Sequence, residues 1–175
     1  MKINTSSCIY PIKTKTTHPT IKFNDSFLHS LYAPIKEEKN NILLHLEELR
    51  KSPRILILGL GLGYHVDEIF KITLSAFKNC KIIVLEFIDE IYTCAKDLNY
   101  NNLFNNNHVS IIREDLENIF NNSSILHFIE MIPYIYIHRP SYKLYESFFP
   151  ELSSRTIENA VLMNAFTAIS GGLKA

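Results

Sequence analysis

Residues 54–65 read RILILGLGLGYH, and this stretch decides the fold. Its first part, Arg54–Leu58, consists mostly of branched apolar side chains, which is typical of a strand buried on both faces of a parallel sheet. Glycines follow at positions 59, 61 and 63, and a helical pattern begins directly after them. A strand that turns into a helix through glycines presents free N–H groups and a closely approachable backbone to a ligand. We therefore expect Gly59, Gly61 and Gly63 to form the ligand-binding loop of this chain.

The alternation of apolar runs and amphipathic helices continues along the chain. Apolar runs at 81–85, 109–112 and 131–137 predict three more strands, with helical spacing between them. Pro133 must lie at the start of its strand or at a sheet edge. Strand, helix and strand in succession predict right-handed crossovers. The fold class is therefore α/β: a Rossmann-like three-layer sandwich with a mostly parallel sheet and a small N-terminal extension.

The chain divides into a short leader and one larger domain. We assign residues 1–33 to the N-terminal extension and 34–175 to the Rossmann-like domain. Short extended pieces at 8–12 and 20–23 predict a β-hairpin in the extension. The polar residues 138–141 predict a turn, and a closing helical region follows it.

Helical and strand periodicity together predict the core. Pro34 suits the first turn of a helix, and the apolar residues that follow it recur at helical spacing. The residues predicted to be largely buried are Ile35, Leu43, Leu46, Val66, Ile69, Phe70, Ile83 and Leu85.

Composition excludes several classes of function. The 175 residues carry 18 basic and 18 acidic side chains, and no dense basic cluster predicts binding to nucleic acid. The three cysteines lie far apart without a CxxC pair, which favours a reducing compartment, and we expect a cytoplasmic protein. The apolar runs are too short to span a bilayer.

An acid follows the second predicted strand. Glu86 lies about twenty residues after the glycine loop, where a dinucleotide-binding fold places the acid that holds a ribose hydroxyl pair.

Tyr64 occupies the place of the third glycine of a dinucleotide fingerprint, which disfavours NAD and FAD. The shorter loop favours S-adenosylmethionine, although Ile57 stands where methyltransferases usually carry an acid. Asp115 is either an adenine-side acid or the N-cap of the helix after it.

Three further side chains are candidates for ligand contact. Tyr64 and His65 open the helix after the loop, where a histidine can contact a phosphate or carboxylate or act as a partly exposed cap residue. Arg139 follows the fourth strand and is a candidate anion contact. No complete catalytic constellation is visible, and the histidines lack metal-ligand spacing, so no metal site is expected. The expected site residues are Gly59, Gly61, Gly63, Tyr64, His65, Glu86, Asp115 and Arg139.

Several segments together resemble one protein family. They are HSLYAPIKEE at 29–38, ILGLGLGYH at 57–65, VLE at 84–86 and IHRPSY at 137–142, with Asn164 and Thr167 in the closing helix. This pattern resembles the N-terminal domain of the motility-associated factor (Maf) glycosyltransferases. The resemblance implies a role around flagellin glycosylation. Transferase activity in that family is assigned to a separate, later domain, so we expect no autonomous glycosyl transfer from these residues.

Three interpretations remain open at this stage. The first is an accessory domain of the Maf type, which binds a nucleotide-like ligand or a protein partner in motility or surface glycosylation. The second is a small-molecule methyltransferase that uses S-adenosylmethionine. The third is an interaction module without a ligand, in which the glycines only permit tight packing of strand against helix. The candidate cofactors are accordingly S-adenosylmethionine and a nucleotide or nucleotide sugar.

Overall fold

The computed structural model describes residues 9–148, and the structural statements below concern that part of the chain. The strands are β1 (Ile9–Ile12), β2 (Thr20–Phe23), β3 (Ser26–Phe27), β4 (Arg54–Leu58), β5 (Lys81–Glu86), β6 (Val109–Arg113) and β7 (Tyr134–Ile137). The α-helices are α1 (Pro34–Leu43), α2 (Leu46–Leu49), α3 (Tyr64–Ala76), α4 (Asp89–Leu98), α5 (Ser123–Glu130) and α6 (Arg139–Phe148). Two 3₁₀ helices, Tyr100–Asn105 and Leu116–Asn121, flank β6.

The central sheet contains four parallel strands in the order β6-β5-β4-β7. Strand β4 lies inside the sheet, where Ile55 pairs with Ile82 on one side and with Tyr134 on the other. The prediction that the strands at 54–58, 81–85 and 109–112 lie side by side and parallel is confirmed. Helices connect these strands, and the chain therefore has a Rossmann-like α/β fold.

The two faces of the sheet are covered by different elements. Ile55 and Ile57 of β4 lie in an apolar cluster with residues of α1, α2 and α3. Leu56 and Leu58 point the other way, into a cluster with α5, α6 and the small sheet. This alternation follows from the two-residue period of a strand. It explains why a strand buried on both faces consists of consecutive apolar residues.

The N-terminal extension forms a second, antiparallel sheet in the order β1-β2-β3. The predicted hairpin is present, and the two-residue strand β3 extends it. Thr20 ties the segment after β3 to β2, because its Oγ1 donates to the carbonyl of His29 (2.8 Å) and accepts from the amide of His29 (2.9 Å). These bonds hold His29 against the central domain.

Some local predictions need correction. Leu43 was expected in the core, but it is 59% exposed, whereas its neighbour Ile42 is fully buried. Helix α1 ends at Leu43 and a new helix begins at Leu46, so the apolar face does not continue in register. The turn predicted at 138–141 is the beginning of α6. The predicted closing helix with Asn164 and Thr167 lies outside the described residues.

None of the helices within residues 9–148 combines the length and the hydrophobicity that crossing a bilayer requires.

Candidate functional site

The glycine loop connects β4 to α3 in a conformation that side chains rarely adopt. Gly59 has φ +99° and Gly61 has φ +50°, in the region that glycine enters without steric cost. Four of the five amides from 59 to 63 already donate inside the chain. The loop therefore presents few free N–H groups at the carboxyl edge of the sheet.

The space beside the loop is filled by the chain's own side chains. A Cβ atom at Gly61 would lie 2.5 Å from Nε2 of His29, and one at Gly59 would lie 2.5 Å from Cβ of Ser141. His138 lies next to both positions. The glycines thus allow the backbone to approach a histidine and serine cluster. A purine or ribose over the loop would have to displace these residues.

His29 has a defined tautomer, which we assign from its partners. The amide of Leu62 donates to Nε2 of His29 at 2.9 Å, so Nε2 carries no proton. In the neutral ring the proton is on Nδ1, which donates to Oε1 of Glu38 at 2.8 Å. Burial lowers the pKa of His29 below its ordinary value, which favours the neutral ring.

Glu38 accepts from a second imidazole, that of His138. Nε2 of His138 lies 3.2 Å from the same Oε1 atom, and Nδ1 of His138 lies 2.7 Å from Oγ of Ser141. The other oxygen of Glu38, Oε2, is buried and has no hydrogen-bond partner within residues 9–148. Burial alone would raise the pKa of Glu38, but the hydrogen bonds from His138 and His29 bring it well below the ordinary value. Glu38 is therefore a buried carboxylate.

His65, a predicted site residue, lies on the other side of His138. It is fully buried, so the alternative of a partly exposed cap residue is wrong. Its Nε2 donates to the carbonyl of Gly59 at 2.8 Å, and its Nδ1 atom is buried without a partner in the described part of the chain. Burial, reinforced by the nearby His138, lowers the pKa of His65 well below its ordinary value.

Glu86 is also buried, and protein donors surround its carboxylate. Oε2 accepts from the amide of Leu60 at 3.0 Å. Oε1 accepts from the amides of Phe87 and Ile88 at 3.0 Å each and from the hydroxyl of Tyr145 at 2.9 Å. Burial raises the pKa of Glu86, and these hydrogen bonds oppose the rise. The carboxylate predicted to hold a ribose thus holds the loop, the start of α4 and α6 together.

Two predicted residues lie at the edges of this region. The hydroxyl of Tyr64 donates to the carbonyl of Pro19 at 2.7 Å, which attaches α3 to the N-terminal extension. Asp115 is exposed and stands at the N-cap position of a 3₁₀ helix, but its side chain makes no capping bond. Instead its Oδ1 accepts from Nη1 of Arg113 at 2.9 Å.

Arg139 lies in a different place, in a groove between the small sheet and α6. The groove has a volume of about 410 Å³, within the usual range for small-molecule sites. Arg139 and Lys143 stand one helical turn apart in its wall, and neither forms an ion pair within residues 9–148. The other lining residues are neutral: Phe23, Ser26, Phe27, Leu28, Pro140, Leu144 and Ser147.

The structure therefore brings some predicted residues together and separates others. Gly59, Gly61, His65 and Glu86 lie at one edge of the sheet, whereas Arg139 faces the groove. Sequence reasoning names His65 as a site residue but misses the buried cluster to which it belongs, which we define as His29, Glu38, His65, His138 and Ser141. The sequence carries a signal for Glu38. This acid shares the buried face of α1 with Pro34 and Ile42, where an apolar residue is normal.

Comparison with known proteins gives a fold similarity only. No model of a protein family matches the chain, and no curated protein sequence does. Among solved structures, MnmC2 from Aquifex aeolicus is similar, with a TM-score of 0.43 and 16% sequence identity. The similarity covers 68% of this chain and 46% of that one, so the chain spans less than half of MnmC2. The Rossmann-like fold itself follows from the strand order and register of the chain.

Proposed function

We propose that this chain is an accessory binding domain of the motility-associated factor type, which acts in motility or surface glycosylation by binding a nucleotide-like ligand or a protein partner. One observation carries the proposal. The segments 29–38, 57–65 and 137–142, on which the family resemblance rests, supply every member of the buried cluster. Residues that lie far apart in the sequence thus form one spatial unit, as expected if they are shared features of one domain type.

The arrangement supports binding better than catalysis. His29, Glu38, His65, His138 and Ser141 are all buried, so no substrate reaches them in this conformation. Glu86 and most of the loop amides are bonded inside the chain. A general base or nucleophile has to contact the reacting atoms. The described residues place none of these groups at the wall of the groove.

The groove beside α6 supports an anionic ligand. Arg139 and Lys143 supply positive charge at one wall, and Ser26 and Ser147 supply hydroxyls. Phe23 and the other apolar side chains form a surface for an uncharged portion of the ligand. This combination suits a molecule with a phosphate or carboxylate attached to an apolar or planar group. A nucleotide or nucleotide sugar belongs to that class.

A thermal-shift screen followed by calorimetric titration tests the proposal. Nucleotides and nucleotide sugars should stabilise the wild type, by about 2.7 kcal/mol at a hundred times Kd. The variant Arg139→Gln/Lys143→Gln should lose this binding, and Lys78→Gln, an exposed lysine outside the groove, serves as the matched control. Unchanged affinity in the double variant would show that the ligand binds outside this groove.

A methyltransferase is the second candidate function. The order β6-β5-β4-β7 puts the glycine loop and Glu86 at the ends of neighbouring strands, which is where a Rossmann-like enzyme holds the adenosine part of its cofactor. Binding would require His29 and Tyr145 to move. S-adenosylmethionine retained through purification, or a thermal shift with it that Arg139→Gln/Lys143→Gln does not affect, would favour this function.

The interaction module is supported by one exposed apolar feature. Leu43 and Leu44 are adjacent and 59% and 81% exposed. If none of the screened ligands binds, the remaining function is contact with a partner protein. In that case Leu43→Ser/Leu44→Ser should abolish the contact while leaving thermal stability unchanged.

A further inference from the structure

Three buried side chains from different parts of the chain converge on one point. His29 follows β3, Glu38 lies in α1 and His138 precedes α6. Their exposures are 4%, 3% and 1%, and one potential ligand atom of each lies within 4.8 Å of the others. Two histidines and one carboxylate are a donor set that zinc and other first-row divalent ions accept, with further positions left open.

A second observation concerns the charge of this group. Oε2 of Glu38 is buried and has no hydrogen-bond partner within residues 9–148. No lysine or arginine pairs with this carboxylate in that part of the chain. Buried carboxylates are normally paired with a cation or bound to a metal. The unpartnered oxygen therefore indicates a missing positive charge at this place.

We propose that His29, Glu38 and His138 bind one divalent transition-metal ion, for which zinc is the natural probe. The ion would replace the two N–H groups that now hold Oε1 of Glu38 and would also engage Oε2. The proposal is independent of the ligand groove, because none of the three residues lines that groove.

Coordination requires the proton of each imidazole to change nitrogen. His138 would bind through Nε2, and its proton would then be on Nδ1, where Oγ of Ser141 at 2.7 Å can accept it. His29 would bind through Nδ1, and its proton would then be on Nε2. Each ring loses one proton and gains one, so binding releases no net proton. This arrangement gives each ligand an outer hydrogen bond, as metal-bound histidines usually have.

The new proton on Nε2 of His29 would meet the amide of Leu62, which now donates to that atom. Binding therefore requires the peptide between Gly61 and Leu62 to turn, so that the carbonyl of Gly61 accepts from Nε2. This rotation changes ψ of Gly61, and glycine permits it because at a φ of +50° it has a wider range of allowed ψ than any other residue. The conformation of the glycine loop would thus depend on whether the cluster holds a metal ion.

His65 supports this site without joining it. Its ring is stacked on His138 with planes 3° from parallel. The lone pair with which an imidazole binds a metal belongs to its unprotonated nitrogen and lies in the plane of the ring, so two stacked rings cannot direct such lone pairs at one ion. His65 instead shields one face of His138 and fixes the position of Gly59 through its hydrogen bond.

The experiment uses the full chain after dialysis against a chelator. Zinc should bind with a stoichiometry of one, and titration in two buffers of different ionisation enthalpy should give no proton release. Nitrogen-15 NMR of the imidazoles should show His29 changing from the Nδ1–H to the Nε2–H tautomer. Cobalt, as a spectroscopic probe, should give visible absorption bands.

Variants locate the ion. Glu38→Gln and His138→Asn should each weaken zinc binding by more than about 100-fold, beyond the 10- to 100-fold typical for loss of an outer partner. His127→Asn, at an exposed histidine outside the cluster, should bind as the wild type does. If either cluster variant fails to fold, the change of tautomer at His29 in the wild type on addition of zinc decides whether the ion binds at this cluster. No zinc binding, or binding with His29 still protonated at Nδ1, would overturn the proposal.

Discussion

The imidazole rings of His65 and His138 lie face to face, with centres 4.0 Å apart and planes 3° from parallel. His65 is in the first turn of α3 and His138 immediately precedes α6, so the stack joins the two helices that follow the neighbouring strands β4 and β7. Burial beside His138 keeps the pKa of His65 well below its ordinary value. The two stacked rings occupy the carboxyl edge of the sheet beside the glycine loop.

The first prediction concerns the close approach at the glycine loop. Gly61→Ala should destabilise the fold by about 1–2 kcal/mol through its positive φ, and by roughly 1–3 kcal/mol more because the new Cβ overlaps the ring of His29. Gly63→Ala is the control. Its φ is also positive, but its Cβ would meet only Cδ1 of Leu103, the flexible end of a side chain. Urea unfolding measures both, and equal losses would show that His29 does not restrict position 61.

The second prediction concerns the carboxylate of Glu86. Glu86→Gln should cost about 1–3 kcal/mol, because its NH₂ group must face a backbone N–H that now has an acceptor. Glu130→Gln, at an exposed position, should change stability by less than about 0.5 kcal/mol. Chemical denaturation of both variants at neutral pH is the measurement. A fully stable Glu86→Gln would mean that the carboxylate is not held as described.

The third prediction compares two neighbours in α1. Ile42→Ala should destabilise the chain by about 2–5 kcal/mol, since it removes a fully buried side chain. Leu43→Ala should have an effect within about 0.5 kcal/mol, because Leu43 is exposed. Thermal and denaturant unfolding of the pair test the assigned helix face. The opposite order of effects would mean that the helix is rotated.

The fourth prediction concerns the contact that holds His29. Thr20→Val keeps the shape of the side chain but leaves the amide and the carbonyl of His29 without their buried partner. The cost should be about 1–3 kcal/mol for each group. Thr93→Val, on the exposed side of α4, is the matched control. Similar unfolding curves for both variants would argue against this anchor.

The central sheet could be predicted from the sequence because its signals are local. Arg54–Leu58 and Lys81–Glu86 are short apolar runs next to helical patterns, and each determines its own structure. Helix α5 was not predicted, although Asn122 gives a capping signal: its side chain accepts from the amides of Ser124 and Ile125. The length of α5 is the reason, because eight residues are fewer than a helical period needs to stand out in a sequence.

The buried cluster could not be predicted, because its partners lie far apart in the chain. Glu38 and His138 are separated by 100 positions, and no spacing rule connects them. His29 reaches the loop only because the small sheet folds onto the domain, which the composition of the extension does not indicate. The strand-to-helix turn at Gly59 and Gly61 follows from the local pattern, whereas the side chains that pack against these glycines depend on tertiary structure.

A side chain at position 61 and the imidazole at position 29 would occupy the same volume, since a methyl group at 61 would lie 2.5 Å from the ring of His29. Among related sequences, the residues at positions 29 and 61 should therefore co-vary. A larger residue at 61 always carries the cost of the positive φ, and it escapes the additional overlap only where the imidazole at 29 has been replaced. An alignment in which histidine at 29 occurs only together with glycine at 61 would show this coupling.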